Sequence, residues 1–252
     1  PASIQSFCDK VLADCISEIG AASETDGFKS SRDRYFAMTA MALIHLPAGA
    51  RIAVGYAAPG HLALALQLAG YDVSLIDPND AWVARYEPKD IRSRIDAEIA
   101  NFDQPVLPFK SQTVDCFVLT GAFERLLVNH PRNLLREVHR VLGPNGIIIC
   151  STPNICNISN IVSILQGNNI FWSPDIFYGG TDRHNREFTP REIRDLFESN
   201  GFQTRAFFGM NDHANWRTGS AQHIYDYQGK HGTPDHSLMR NTIIGVFRKT
   251  ST

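Results

Sequence analysis

The sequence predicts an α/β protein with a doubly wound, mostly parallel sheet, and three observations carry that expectation. Short apolar runs alternate with helical stripes along most of the chain, the arrangement that places a parallel sheet between two layers of helices. Ile147-Ile148-Ile149-Cys150 is apolar at every position, as in a central parallel strand buried on both faces. A turn of small residues, Gly55-Tyr56-Ala57-Ala58-Pro59-Gly60, follows the first strand candidate and leads into a helix. Ligands in such folds bind there, beyond the carboxyl ends of the strands.

Each element has its own signal. Ile4, Phe7, Val11, Leu12, Cys15, Ile16 and Ile19 share one helical stripe closed by Gly20. A second helix is expected over Asp33 to Leu46, ended by Pro47-Ala48-Gly49, so residues 1–46 form N-terminal helices. Arg51 to Val54 is the first strand, His61 to Ala69 a helix closed by Gly70, and Tyr71 to Ile76 the second strand, ending in Asp77-Pro78. Val114 to Leu119 is a strand. Pro131 then opens a helix with Leu134, Leu135, Val138, Val141 and Leu142 on one face, stopped by Gly143-Pro144-Asn145-Gly146. Thr189-Pro190-Arg191-Glu192 is a capping box with Pro in the first turn, and that helix ends at Asn200-Gly201. Phe202 to Phe208 and Thr242 to Phe247 are the last strands. The segments 153–188 and 210–240 are too long for plain connections and read as lid or binding loops.

The 252 residues are expected to form a single domain. Lys plus Arg 24 against Asp plus Glu 26 gives a net charge of −2, which argues against a nucleic-acid partner, because phosphate affinity rests on clustered positive charge. No apolar run approaches the roughly 20 residues that cross a bilayer, and no basic stretch followed by an apolar one marks a secretory leader. Five cysteines form no CxxC pair, and Cys116 and Cys150 lie inside apolar runs; a reducing cytoplasm is expected. His213, His223, His231 and His236 with Asp212, Asp226 and Asp235 match no metal-ligand spacing, so no metal is expected.

Between Arg32 and Phe208 the chain resembles a class I S-adenosylmethionine-dependent methyltransferase. Gly55 to Gly60 stands where that family has its Gly-rich loop, and Asp77 where its acid holds the ribose hydroxyls. Asp103, four residues before Leu107-Pro108-Phe109, matches the acid that accepts from the adenine amino group. Gly121-Ala122-Phe123-Glu124-Arg125-Leu126 is similar to the family's Glu-His-Leu segment, with Arg125 in place of His, and Leu135 to Gly146 matches the helix and turn before strand five. Ser151-Thr152-Pro153-Asn154 and Arg183 to Thr189 resemble a subgroup that methylates saccharides and other small molecules.

The resemblance implies a Rossmann-like, seven-stranded methyltransferase fold and S-adenosylmethionine as cofactor, with S-adenosylhomocysteine as product. Gly55, Tyr56, Ala57, Gly60, Asp77, Pro78, Asp103, Gln104, Thr120 and Gly121 would form the cofactor site. Two departures stand out. Ala53 takes the place of an acid that anchors the cofactor's amino-acid end, and the Gly55 to Gly60 loop carries Ala and Pro where glycines are expected, each Cβ restricting φ and close approach.

Several residues keep two readings at this stage. Asp77 holds ribose or forms a turn before Pro78, and Asp103 holds adenine or is an exposed loop acid. Arg32, Arg34 and Tyr35 reach the methionine carboxylate or belong to a solvated helix face. Methyl transfer needs a base only when the acceptor is a hydroxyl or a protonated amine. His184 is the candidate, with Asp182 as partner; the alternative is that Arg183 to Glu187 fastens the lid. Phe171, Trp172, Tyr178 and Arg183 line the acceptor site, or the aromatics are ordinary core. The expected activity is methyl transfer to an O or N acceptor on a small molecule or saccharide, by a chain that is a monomer or a homodimer. The alternative is a methyltransferase-fold protein that binds a ligand, serves as a scaffold or catalyses another reaction. A nicotinamide oxidoreductase fails because the loop lacks GxGxxG.

Overall fold

The computed structural model describes residues 6–7, 9–11, 13–14, 17, 26–56, 60–77, 95, 97–103, 106–127, 130–171, 173–179, 183–211, 224, 226–227, 230 and 236–250. Its elements are α1 (Asp26–His45), β1 (Arg51–Gly55), α2 (His61–Leu68), β2 (Asp72–Asp77), β3 (Ala97–Ile99), β4 (Val114–Thr120), α3 (Pro131–Val141), β5 (Leu142–Pro153), α4 (Ile158–Leu165), α5 (Pro174–Gly179), α6 (Pro190–Glu198), β6 (Phe202–Met210) and β7 (Thr242–Lys249). The described residues between 6 and 17 are helical, as their apolar stripe requires. Among the described residues no helix is long and apolar enough to cross a membrane.

The strands form one seven-stranded sheet in the order β3-β2-β1-β4-β5-β7-β6. Pairing is parallel from β3 through β5. β7 runs antiparallel to both β5 and β6. The chain leaves β1 toward β2 on one side and reaches β4 on the other, so the connections part company between β1 and β4, and a crevice opens at the carboxyl ends of those strands. The register puts Gly55 opposite Ile76 and Leu119, and Thr120 opposite Ser151. Gly55, Asp77, Thr120 and Ser151 therefore share one edge of the sheet.

Two apolar layers hold the sheet. Met38 and Ala42 of α1 and Leu62, Ala63 and Leu66 of α2 cover one face, against Val54, Leu75, Val118 and Ile149. Leu134, Leu135 and Val138 of α3 and Ile193 and Phe197 of α6 cover the other, against Ala53, Ile76, Phe117 and Ile148. Successive residues of β1, β4 and β5 thus alternate between two cores, which is why Ile147–Cys150 is apolar throughout.

The capping box forms as expected: the Thr189 hydroxyl accepts from the Glu192 amide at 3.1 Å, and the Glu192 carboxylate accepts from the Thr189 amide at 2.9 Å. Two expectations change. The segment 153–188 is not loop throughout, because it holds α4 and α5. Asn157 caps α4, its side-chain oxygen accepting from the Asn160 amide at 2.9 Å. β3 gives no sequence signal, since its three residues are all exposed at the sheet edge.

Candidate active site

The crevice begins with the turn after β1. Tyr56 has φ 54°, a left-handed conformation that costs a residue with a Cβ, while Gly60 takes φ 91° as N-cap of α2. The Tyr56 amide donates to the Ile76 carbonyl at 3.1 Å, and its ring lies 4.9 Å from that of Phe102. Phe102 is fully buried and packs beneath Gly55, where an added Cβ would meet its Cζ at 3.0 Å. Burial pushes the Tyr56 phenol up, and Asp103, Asp77 and Glu124 push the same way against Arg125.

Asp77 ends β2 with 2% of its surface exposed. The Ala100 amide donates to its backbone carbonyl at 3.0 Å, tying β2 to the segment that leads into Phe102 and Asp103. The Asp103 carboxylate accepts from the Leu127 amide at 2.8 Å, and its own amide donates to the Asn101 side chain at 2.9 Å. This acid is a fixed part of the crevice wall, joining the segment after β3 to the turn after β4.

At the end of β4, the Ser151 hydroxyl donates to Thr120 Oγ1 at 3.3 Å, and the Gly121 amide donates to the Ser151 carbonyl at 3.0 Å. Gly121 has φ 68°, and a Cβ there would stand 3.1 Å from Glu124 Oε1. Glu124 is buried, and Thr152 Oγ1 donates to its Oε2 at 3.0 Å. Burial pushes the Glu124 carboxyl up, opposed first by His184. A carboxyl whose folded pKa is raised favours the folded state most below the unfolded carboxylate range, and that advantage is lost as pH rises. Glu124→Gln is therefore expected to raise the melting temperature at pH 7 to 8, with the gain vanishing near pH 4. Thermal scans at both pH values check this, and an equal shift at both would refute the burial cost.

The segment after residue 182 docks on this turn. The Glu124 carbonyl accepts from the Asn185 amide at 2.7 Å and from the Arg186 amide at 3.3 Å. The Asn185 side chain donates to the carbonyls of Arg125 and Leu126, both at 3.2 Å. Asn154 bridges to Phe188 beside the end of β5. His184 is thereby carried to the ends of β4 and β5, with Nδ1 2.8 Å from Glu187 Oε1. Glu187, three residues on, is thus a partner of His184.

Of the expected acceptor residues, Phe171 borders a crevice of about 10 Å³ together with His184, Asn185 and Glu187. Phe171 and Tyr178 are 61% and 82% exposed, so neither is core. Arg183 ties α5 to the segment that follows: its guanidinium bonds the Phe177 carbonyl, donates to Asn185 Oδ1 at 3.0 Å and lies over the Phe177 ring. Tyr35 is buried, stacked 6.5 Å from His61 at the start of α2, and Arg34 donates to Ser31 at 2.7 Å. Ala57, Pro78, Gln104, Trp172 and Asp182 lie outside the described residues, as do most of the His and Asp residues of 210–240. Sequence reasoning missed Phe102 and Glu187 and gave Glu124 no role. A Phe just before Asp103 and an acid three residues after His184 were the available signals.

Sheet order, switch point and paired acids point one way, and the sequence profile of the methyltransferase domain matches residues 56–206. The chain belongs to the methyltransferase domain family. No curated protein sequence matches it. The fold is similar to that of a SAM-dependent methyltransferase from Methanosarcina mazei, with TM-score 0.60 and 15% identity over 84% of this chain and 98% of that one. An S-adenosylmethionine-dependent methyltransferase from Mesorhizobium loti gives TM-score 0.56 and 15% identity, covering 91% and 100%. The complex between the Haloferax volcanii Trm112 methyltransferase activator and a methyltransferase gives TM-score 0.57 and 18% identity, covering 91% and 97%.

The family and fold imply S-adenosylmethionine as cofactor, and the adenosine half suits the residues present. A buried carboxylate at the end of β2 suits two ribose hydroxyls, and a second acid follows an aromatic ring. The N-terminus of α2, capped by no side chain, points its amides to the same edge. At the methionine end the fit is poorer, because Ala53 is buried in β1 and brings no charge.

Proposed function

We propose that this methyltransferase moves a methyl group from S-adenosylmethionine to an oxygen or nitrogen on a small molecule or saccharide, with His184 as the base. The observation that carries this reading is the docking of residues 183–188 on the turn after β4, which brings a paired imidazole to the edge that holds Asp77 and Thr120. Bound S-adenosylmethionine supplies an electrophilic methyl on a sulfonium, displaced in line.

The chain's own residues do the rest. Asp77 and Asp103 orient the nucleoside, Gly55 and Gly121 let Phe102 and Glu124 pack close beneath the site, and Gly60 opens α2 toward the cofactor. Glu187 accepts from Nδ1, which leaves the basic lone pair on Nε2 and steadies the imidazolium that forms. Phe171 and Tyr178 stand in solvent on a segment whose one charge between residues 151 and 181 is Asp175, and offer apolar surface to an acceptor that binds over them. The net charge of −2 supports a small acceptor over a nucleic acid.

The test is transfer of labelled methyl from S-adenosylmethionine to fractionated small-molecule and glycan extracts. Labelled product is expected with the wild type. His184→Gln should lower the rate about 100-fold, the scale of general-base contributions, with affinity for S-adenosylhomocysteine unchanged. A second reading, a methyltransferase-fold protein without methyl transfer, is favoured by the uncharged Ala53. It is chosen if S-adenosylhomocysteine binds tightly while no fraction accepts label.

A further inference from the structure

We propose that Tyr56 is a displaceable plug: in the ligand-free chain its ring stands in the adenosine seat, and cofactor binding swings it out. The proposal rests on the cofactor reading above and says how that site is opened.

Position carries the argument. The Tyr56 amide is held 3.1 Å from the Ile76 carbonyl, next to the acid that ends β2. Its ring reaches across to Phe102, 4.9 Å away and next to Asp103. One residue therefore has its backbone beside the acid matched to ribose and its ring on the residue that precedes the acid matched to adenine. A nucleoside bonded to both has to occupy the same span. Asp77, Asp103, Glu124 and Arg125 all act electrostatically on the phenol, placing it among them.

Backbone and surface favour a movable group. Tyr56 has φ 54°, a left-handed conformation that costs a residue with a Cβ and that a change of backbone would relieve. The ring meets Phe102 tilted at 41°, not stacked flush. When Tyr56 leaves, the Phe102 ring, fully buried under it, becomes an aromatic surface for adenine. Water is kept from the apolar floor in both states, by phenol in one and by purine in the other.

The test is calorimetric titration of wild type, Tyr56→Ala and Tyr56→Phe with adenosine and with S-adenosylhomocysteine. Removing the competitor should tighten both ligands at least fivefold in Tyr56→Ala, and Tyr56→Phe, which keeps the ring, should match the wild type. If the wild type binds and Tyr56→Ala binds equally or more weakly, the plug is overturned and the cofactor reading stands. If no variant binds S-adenosylhomocysteine, the cofactor reading falls and takes the plug with it. A second measurement needs only the wild type: nitration of Tyr56 by tetranitromethane, mapped by mass spectrometry, should be at least threefold faster with saturating S-adenosylhomocysteine. Unchanged or slower nitration overturns the proposal.

Discussion

Asp77→Ala is expected to weaken binding of S-adenosylhomocysteine about 100-fold in a calorimetric titration, with the circular dichroism spectrum unchanged. The carboxylate ends β2 with 2% of its surface exposed, so a ribose pair would meet it in a largely dry setting. Each hydrogen bond to a charged group contributes about 1.5–3 kcal/mol. Losing two removes about 3 kcal/mol, and each 1.4 kcal/mol is a factor of ten. The fold is expected to survive, because β2 is held by backbone pairing to β1 and β3 and by the Ala100 amide on the Asp77 carbonyl. An affinity within threefold of the wild type would show that this acid only shapes the turn.

Phe197→Ala should cost the fold about 3–5 kcal/mol, the range for a large aromatic removed from a packed core. Phe197 is fully buried, stacked 3.8 Å from Phe247 and edge-on to Phe123 at 5.5 Å and Phe202 at 5.9 Å. Those partners come from β7, from the turn after β4 and from β6, so the ring joins α6 to both halves of the sheet. Chemical denaturation should show a lower midpoint at an unchanged slope. A loss below 1 kcal/mol would mean that the neighbouring rings close over the cavity.

Most of the frame was legible because each element carries its own local rule. The apolar run at Ile147, the capping box at Thr189 and the stripe from Leu134 to Leu142 name their elements without help from distant contacts. β3 was not legible. Three exposed residues have no pattern of their own, and only pairing with Leu75, Ile76 and Asp77 makes them a strand. α4 was missed because its start, Asn157, looks like one more polar loop residue until its side chain is seen capping Asn160.

The site divides along the same line. The sequence placed Gly55, Gly60, Asp77, Asp103 and His184 as candidates, since a residue's type and its position after a strand are local facts. It offered Asp182, which lies outside the described residues, as a partner for His184 and did not foresee Glu187, 2.8 Å from the ring. It treated Phe171 and Tyr178 as pocket or core, and the packing leaves both in solvent.

The sequence by itself determined most of the strands and helices in their order, the double-sided burial of the central strand and the strand-end edge where this fold class places a ligand. Periodicity and turn chemistry act over a few residues and need no partner. The tertiary structure alone decided that Tyr56 reaches Phe102, that Glu124 is buried against Thr152 and that residues 183–188 carry His184 to the ends of β4 and β5. Those contacts join segments tens of residues apart, and their geometry depends on how two helical layers pack on a twisted sheet, which no local pattern encodes.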